Sequence, residues 1–218
     1  MIKSATLFTQ KERLHVPRPL IDTLCRQMPI QDHYGDDLFS GYFADYAGMA
    51  AKYQPASILE IGVRFGYTAI CMMWGKRQAD PEAEVFYRGI DDESYHPCLL
   101  QANNNFRASV PWANAQAIYY NSITQGIPPE CRNRAWSFIH IDGNHDYHGV
   151  TNDLERTWNL AANGGIILLD DAMDIPENPI AQAIKDFVRR VDDNQWSIEI
   201  QWHPNERHHC YIRKCKIG

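Results

Sequence analysis

Along most of the chain, short apolar runs and stretches of helical spacing take turns. Ser57–Ile61 (SILEI) is an apolar run closed by Gly62, which suits a strand. Residues 67–76 (YTAICMMWGK) then read as a helix, ended near Gly75 and Pro81. A second strand is expected over 84–90, closing at Asp91, and a helix over 95–108 with Pro97 in its first turn. Residues 116–120 suit a third strand, and 127–134 a loop or single turn around Pro128 and Pro129. Two apolar runs, WSFIHI and GGIILL, supply a fourth and a fifth strand, with a helix over 146–162 between them. Pro179–Val191 is expected as another helix. Trp196, Ile198, Ile200 and Trp202 alternate as in a half-buried strand, and 208–214 return as the last strand after a turn at Pro204. Upstream, residues 1–18 are polar and mixed, an arm or lead-in, and 20–28 suit a short helix. A helix over 38–53 carries Phe39, Tyr42, Phe43 and Tyr46 at helical spacing, for core packing or for a pocket wall.

Strands alternating with helices predict an α/β fold with a largely parallel sheet and helices on both faces. The central unit sharpens this. Its first strand ends in Asp142 and its second in Asp170 and Asp171. A right-handed crossover makes the two strands parallel, so these carboxylates share the C-terminal sheet edge, where open α/β sheets bind ligands. Neither an internal repeat nor a linker is evident. The expectation is a single domain over 1–218, with a short N-terminal helical cap over 1–55 and a Rossmann-like core over 56–218.

Composition narrows the partners. A net charge of -6 without a clustered run of Lys and Arg argues against nucleic acid. The lack of a long apolar run argues against a membrane span. Six scattered cysteines without a C-x-x-C pair read as reduced thiols, and with the lack of a signal-peptide core they suggest a cytoplasmic location.

The stretch Glu60-Ile-Gly62-Val-Arg-Phe-Gly66-Tyr67-Thr68 is not a dinucleotide fingerprint, because its glycines are spaced G-x-x-x-G behind an acid. An acid at the strand end repels a pyrophosphate but suits an ammonium. The open helix start at Tyr67 and Thr68 offers N–H groups to a carboxylate. A ligand carrying both groups is an amino acid, and S-adenosylmethionine (SAM) ends in one. Asp91 suits ribose hydroxyls, with Asp92 as its competitor and a helix cap as the plain alternative.

EIGVRFGYT and IDGNHDYHGV…GGIILLDDA resemble the class I SAM-dependent methyltransferases over roughly residues 57–172. They are similar to the metal-dependent O-methyltransferases and to the small methyltransferase 24 type group. The resemblance implies a doubly wound, seven-stranded sheet whose last strand is antiparallel. It assigns Glu60, Gly62, Gly66, Tyr67 and Thr68 to the methionine end of SAM, Asp91 to the ribose, and Ser122 to the neighbourhood of the adenine. It carries a divalent cation, Mg2+ above all, to Asp142, Asp170 and Asp171. Catechol-type members commonly have Asn at the position of Asp171 and Lys at that of His145. The Asp-Asp ending and His145 are closer to the metal-dependent sugar O-methyltransferases of macrolide biosynthesis. The implied activity is methyl transfer from SAM to a hydroxyl of a small molecule, a sugar or a phenolic compound. A cephalosporin-hydroxylase-like metal enzyme and a non-catalytic SAM-binding module are the alternatives. His145, in the turn opening a helix, is the candidate general base with Asp142 beside it, and a nearby cation would keep its ring neutral at pH 7. His148 lies on the same helix face or simply faces solvent. His140 reads as a buried strand imidazole, and His208 and His209 receive no role. A homo-oligomer is left open.

Overall fold

Alternate residues of the central strands face opposite ways and fill two separate apolar layers. The computed structural model describes residues 3–4, 36–191, 196–202 and 209–216. On one side of the sheet Ile58, Phe138, Ile166, Leu168 and Tyr211 pack against helices α1 (Asp36–Tyr53), α2 (Tyr67–Ala79) and α3 (Leu99–Ser109). On the other side Leu59, Ile61, Ile139, Ile141, Ile167 and Leu169 meet α5 (Tyr147–Trp158) and α6 (Pro179–Val191). The four-residue α4 (Pro129–Arg132) buries Cys131 beneath Trp136. Strands buried on both faces read as continuous apolar runs, as the sequence of this sheet does.

The strands are β1 (Lys3–Ser4), β2 (Ser57–Ile61), β3 (Phe86–Asp91), β4 (Asn114–Tyr119), β5 (Trp136–Ile141), β6 (Ala161–Leu169), β7 (Trp196–Trp202) and β8 (Cys210–Lys216). Their order is β1-β7-β8-β6-β5-β2-β3-β4. β2 through β6 pair in parallel, and β8 is antiparallel to both β6 and β7. The antiparallel last strand agrees with expectation, whereas the sheet has eight strands among the described residues instead of seven. The extra one is β1, where Lys3 and Ser4 pair with Glu199 and Ile200 on the open edge of β7. That segment was expected as an arm or lead-in.

Two element boundaries moved for visible reasons. The helix expected from Tyr95 begins at Leu99, because the Glu93 carboxylate accepts the N–H groups of Cys98 and Leu99 at 2.7 and 2.8 Å and so fixes the helix start there. The helix expected to reach Ala162 ends at Trp158, and Ala161 already pairs with Trp136. The helix expected over 20–28 lies outside the described residues, as does His208. No helix among the described residues is long and apolar enough to cross a membrane.

Candidate active site

Strand order turns around between β2 and β5: the chain proceeds outward through β3 and β4 on one side, and through β6 on the other. The crevice at such a switch point is where ligands bind in α/β sheets. Its floor is built by two loops that touch. Gly62 takes φ +85, and a Cβ there would lie 2.0 Å from the Asp142 carbonyl oxygen. The Asp142 N–H donates to the Ile61 carbonyl at 2.8 Å. Gly66, at φ +78, lies against the Phe106 ring and precedes α2, which starts at Tyr67 and Thr68 without a side-chain cap.

Asp91 closes β3 and organises this loop. One of its oxygens accepts the Val63 and Arg64 N–H groups, both at 2.9 Å, and the other accepts that of Glu93 at 2.7 Å. Asp92 holds the Ser94 N–H at 2.9 Å and the Asn121 amide at 2.6 Å, and the Ser94 bonds keep its pKa below the ordinary value. Through Asn121, Asp92 joins the loop after β4, where the Ser122 carbonyl accepts the Asn152 amide at 3.2 Å. The loops after β2, β3 and β4 and the helix α5 are thereby tied together.

Glu60 is turned into the core instead of the crevice. It is buried, accepts the Tyr87 hydroxyl, and lies 2.8 Å from Nδ1 of His140, whose Nε2 is 2.9 Å from the Tyr46 hydroxyl. Burial pulls the His140 pKa down, but the bond to Glu60 and its charge outweigh that and hold it above the ordinary imidazole value. Burial, then Glu60, pushes the Tyr87 hydroxyl well up. Sequence reasoning missed this chain of four side chains. Its signal was a histidine inside an apolar strand that the parallel register sets opposite Glu60.

Leu169 pairs with Ile141, so Asp170 and Asp142 emerge side by side one residue later. Donor atoms of His140, Asp142 and Asp170 all lie within 4.8 Å of one another. Burial first, and then the Asp170 charge, raise the Asp142 pKa to about 6. Asp171 stands apart from that trio, exposed, at φ +51. Its carboxylate is 3.4 Å from Nδ1 of His145, whose Nε2 is 3.2 Å from Asp142. The bond to Asp142 raises the His145 pKa. In the metal-free chain the ring is therefore biased toward imidazolium, opposite to the direction expected beside a cation. His209, which had no role, is buried with Nδ1 2.9 Å from Asp170. His148 is exposed and its ring meets that of Tyr147 edge-on.

A sequence model described as a methyltransferase domain matches residues 59–172. No curated protein matches the sequence. Solved structures do. An SAH-bound methyltransferase from Podospora anserina superposes with a TM-score of 0.63 at 18% identity, covering 97% of this chain and 99% of that one. An SAH complex of an O-methyltransferase from Bacillus cereus gives 0.60 at 15% identity, over 96% and 93%. The TDP-rhamnose 3'-O-methyltransferase of calicheamicin biosynthesis gives 0.59 at 16% identity, over 94% and 99%. At these identities the likeness is one of fold.

Proposed function

The chain belongs to the methyltransferase-domain family, and from that premise we propose that it moves the methyl group of SAM to a hydroxyl of a small molecule, with a divalent cation at the Asp142 edge. The observation that carries this is the direct abutment of the two loops. Gly62 of the glycine loop packs on the backbone of Asp142, so a methyl donor held by one loop lies beside an acceptor held by the other. Reactants fixed in that way gain most of their rate from proximity and orientation.

The uncapped helix start at Tyr67 and Thr68 suits the methionine carboxylate, Gly62 and Gly66 let the ligand approach the backbone, and Glu60, bound in the core by Tyr87 and His140, anchors the strand that leads into that loop. Asp91 shapes the loop that meets the ribose, and Ser122 borders the adenine. The donor chemistry fits a hard cation. Asp142 and Asp170 repel each other and gain from a positive ion between them. Both nitrogens of His140 are already engaged, which leaves oxygen donors. Asp142 and Asp170 would hold the ion, with Asp171, across His145, as the third carboxylate of the set. Bound there, it would lower the pKa of the acceptor hydroxyl. His145 takes the hydroxyl proton on Nε2, the nitrogen facing Asp142, and the carboxylates of Asp142 and Asp171 on either side stabilise the imidazolium that results. The TDP-rhamnose methyltransferase among the similar folds supports a sugar as acceptor, and a vicinal diol or a catechol offers the paired oxygens that the site can grip.

Labelled SAM with Mg2+ and a panel of hydroxylated sugars and phenols tests the reading. Transfer should occur, stop on chelation and return with Mg2+, while SAM binding by calorimetry persists throughout. No SAM binding by the intact chain would refute the assignment. Full turnover after exhaustive chelation would remove the metal from it, and SAM binding without turnover on any acceptor would point to a binding module.

A further inference from the structure

Asp171 holds a left-handed backbone, at φ +51, that non-glycine residues seldom adopt. That turn points its carboxylate back at His145, whereas Asp170, its neighbour in sequence, points at Asp142 and His209. Among the contacts that hold the turn is one from the side chain of Asn178. This side chain is buried, with 8% of its surface exposed, at the start of α6. Its Nδ2 donates to the Asp171 carbonyl at 2.9 Å. Its Oδ1 accepts the Ile180 and Ala181 N–H groups at 2.8 and 3.1 Å. The helix cap uses only the acceptor half of the amide, so the donor half is left for Asp171. Two backbone bonds close the same loop, from Met173 N–H to the Asp171 carbonyl and from Ile175 N–H to that of Met173.

We propose that Asn178 is a positioning residue: its amide N–H holds Asp171 in the left-handed turn that delivers the carboxylate to His145, the residue that borders the Asp142–Asp170 edge. The role rests on the metal reading of that edge given above. A carboxylate ligand is itself held by outer partners, whose loss weakens metal binding by about 10- to 100-fold. Serine is the informative substitution. Its hydroxyl caps a helix as well as asparagine does, but it is one bond too short to cap α6 and reach the Asp171 carbonyl together.

The experiment compares Asn178→Ser and Asn178→Ala with the parent chain in three measurements: thermal melting, amide hydrogen exchange, and Mn2+ titration followed by its paramagnetic resonance. Asn178→Ala should lose both functions, with the melting temperature down by about 2–4 °C for the missing cap. Asn178→Ser should melt close to the parent. It should nevertheless exchange the Met173 and Ile175 amides about 10-fold faster and bind Mn2+ about 10-fold more weakly, the lower end of an outer-partner loss. In an Asp171→Ala background, Asn178→Ser should weaken Mn2+ no further, because its effect runs through that carboxylate. Unchanged exchange and Mn2+ affinity in Asn178→Ser would overturn the role and leave a helix cap. An equal loss of affinity with and without Asp171 would overturn it as well. A parent chain that binds no Mn2+ would instead defeat the metal reading, a separate and recognisable failure.

Discussion

Gly62→Ala and Gly164→Ala form a matched pair that isolates the contact between the cofactor loop and the carboxylate edge. Both glycines have nearly the same backbone, φ +85 and φ +78, so both substitutions carry the same conformational penalty of about 1–2 kcal/mol. They differ in what the new methyl meets. At Gly164, in the irregular start of β6, nothing lies within 4 Å. At Gly62 it meets the Asp142 carbonyl oxygen at 2.0 Å, its carbon at 2.5 Å and the Gly143 nitrogen at 2.8 Å. All three are backbone atoms, so no side chain can swing away, and forced overpacking adds about 1–3 kcal/mol. Gly164→Ala should therefore lower the melting temperature by about 2–8 °C and Gly62→Ala by more, up to roughly twice that. If only ~1.4 kcal/mol of the distortion falls on the ligand-binding shape of the loop, SAM affinity drops about tenfold in Gly62→Ala, while Gly164→Ala leaves it unchanged. Melting curves and SAM calorimetry on the two variants decide it. Equal melting losses with SAM affinity intact in both would refute the claim that the two loops share one close contact.

Two further predictions address the carboxylate edge. His145→Ala should lower kcat by about 10²–10⁴ with SAM affinity unaffected, and a variant that keeps most of its kcat would move the base elsewhere. The Asp142 carboxyl titrates at about 6 in the folded chain against a reference of 3.8, so between those values the folded form keeps a proton that the unfolded form has released. The metal-free chain therefore loses stability as pH rises from about 4 to about 6. Asp142→Asn should remove that loss, melting higher than the parent at pH 7.5 in chelator but gaining little at pH 4. A parent melting temperature that does not fall over this range, with no gain from Asn at pH 7.5, would contradict the burial of Asp142 and its repulsion by Asp170.

Where chemistry follows chain direction, the sequence was sufficient. Period and punctuation alone bounded β2 and α6 at the residues where the structure has them, because an apolar run between turn residues and a helix after a proline are local events. The strand–helix–strand unit put Asp142 and Asp170 at one sheet edge, since a right-handed crossover leaves no other arrangement. Tertiary contacts decided the rest. A helix start moved because a carboxylate from a preceding loop reached its N–H groups. An extra strand exists because the edge of β7 offered unpaired backbone to Lys3 and Ser4. Glu60 looked like a ligand-facing acid, yet the register between β2 and β5 sets it against His140 within the core. Asp170 and Asp171 looked like a pair, yet a single left-handed residue turns one toward Asp142 and the other toward His145. Period along a strand fixes which residues share a face. What stands opposite that face, and where a side chain points once the backbone leaves the strand, depends on residues far away in sequence.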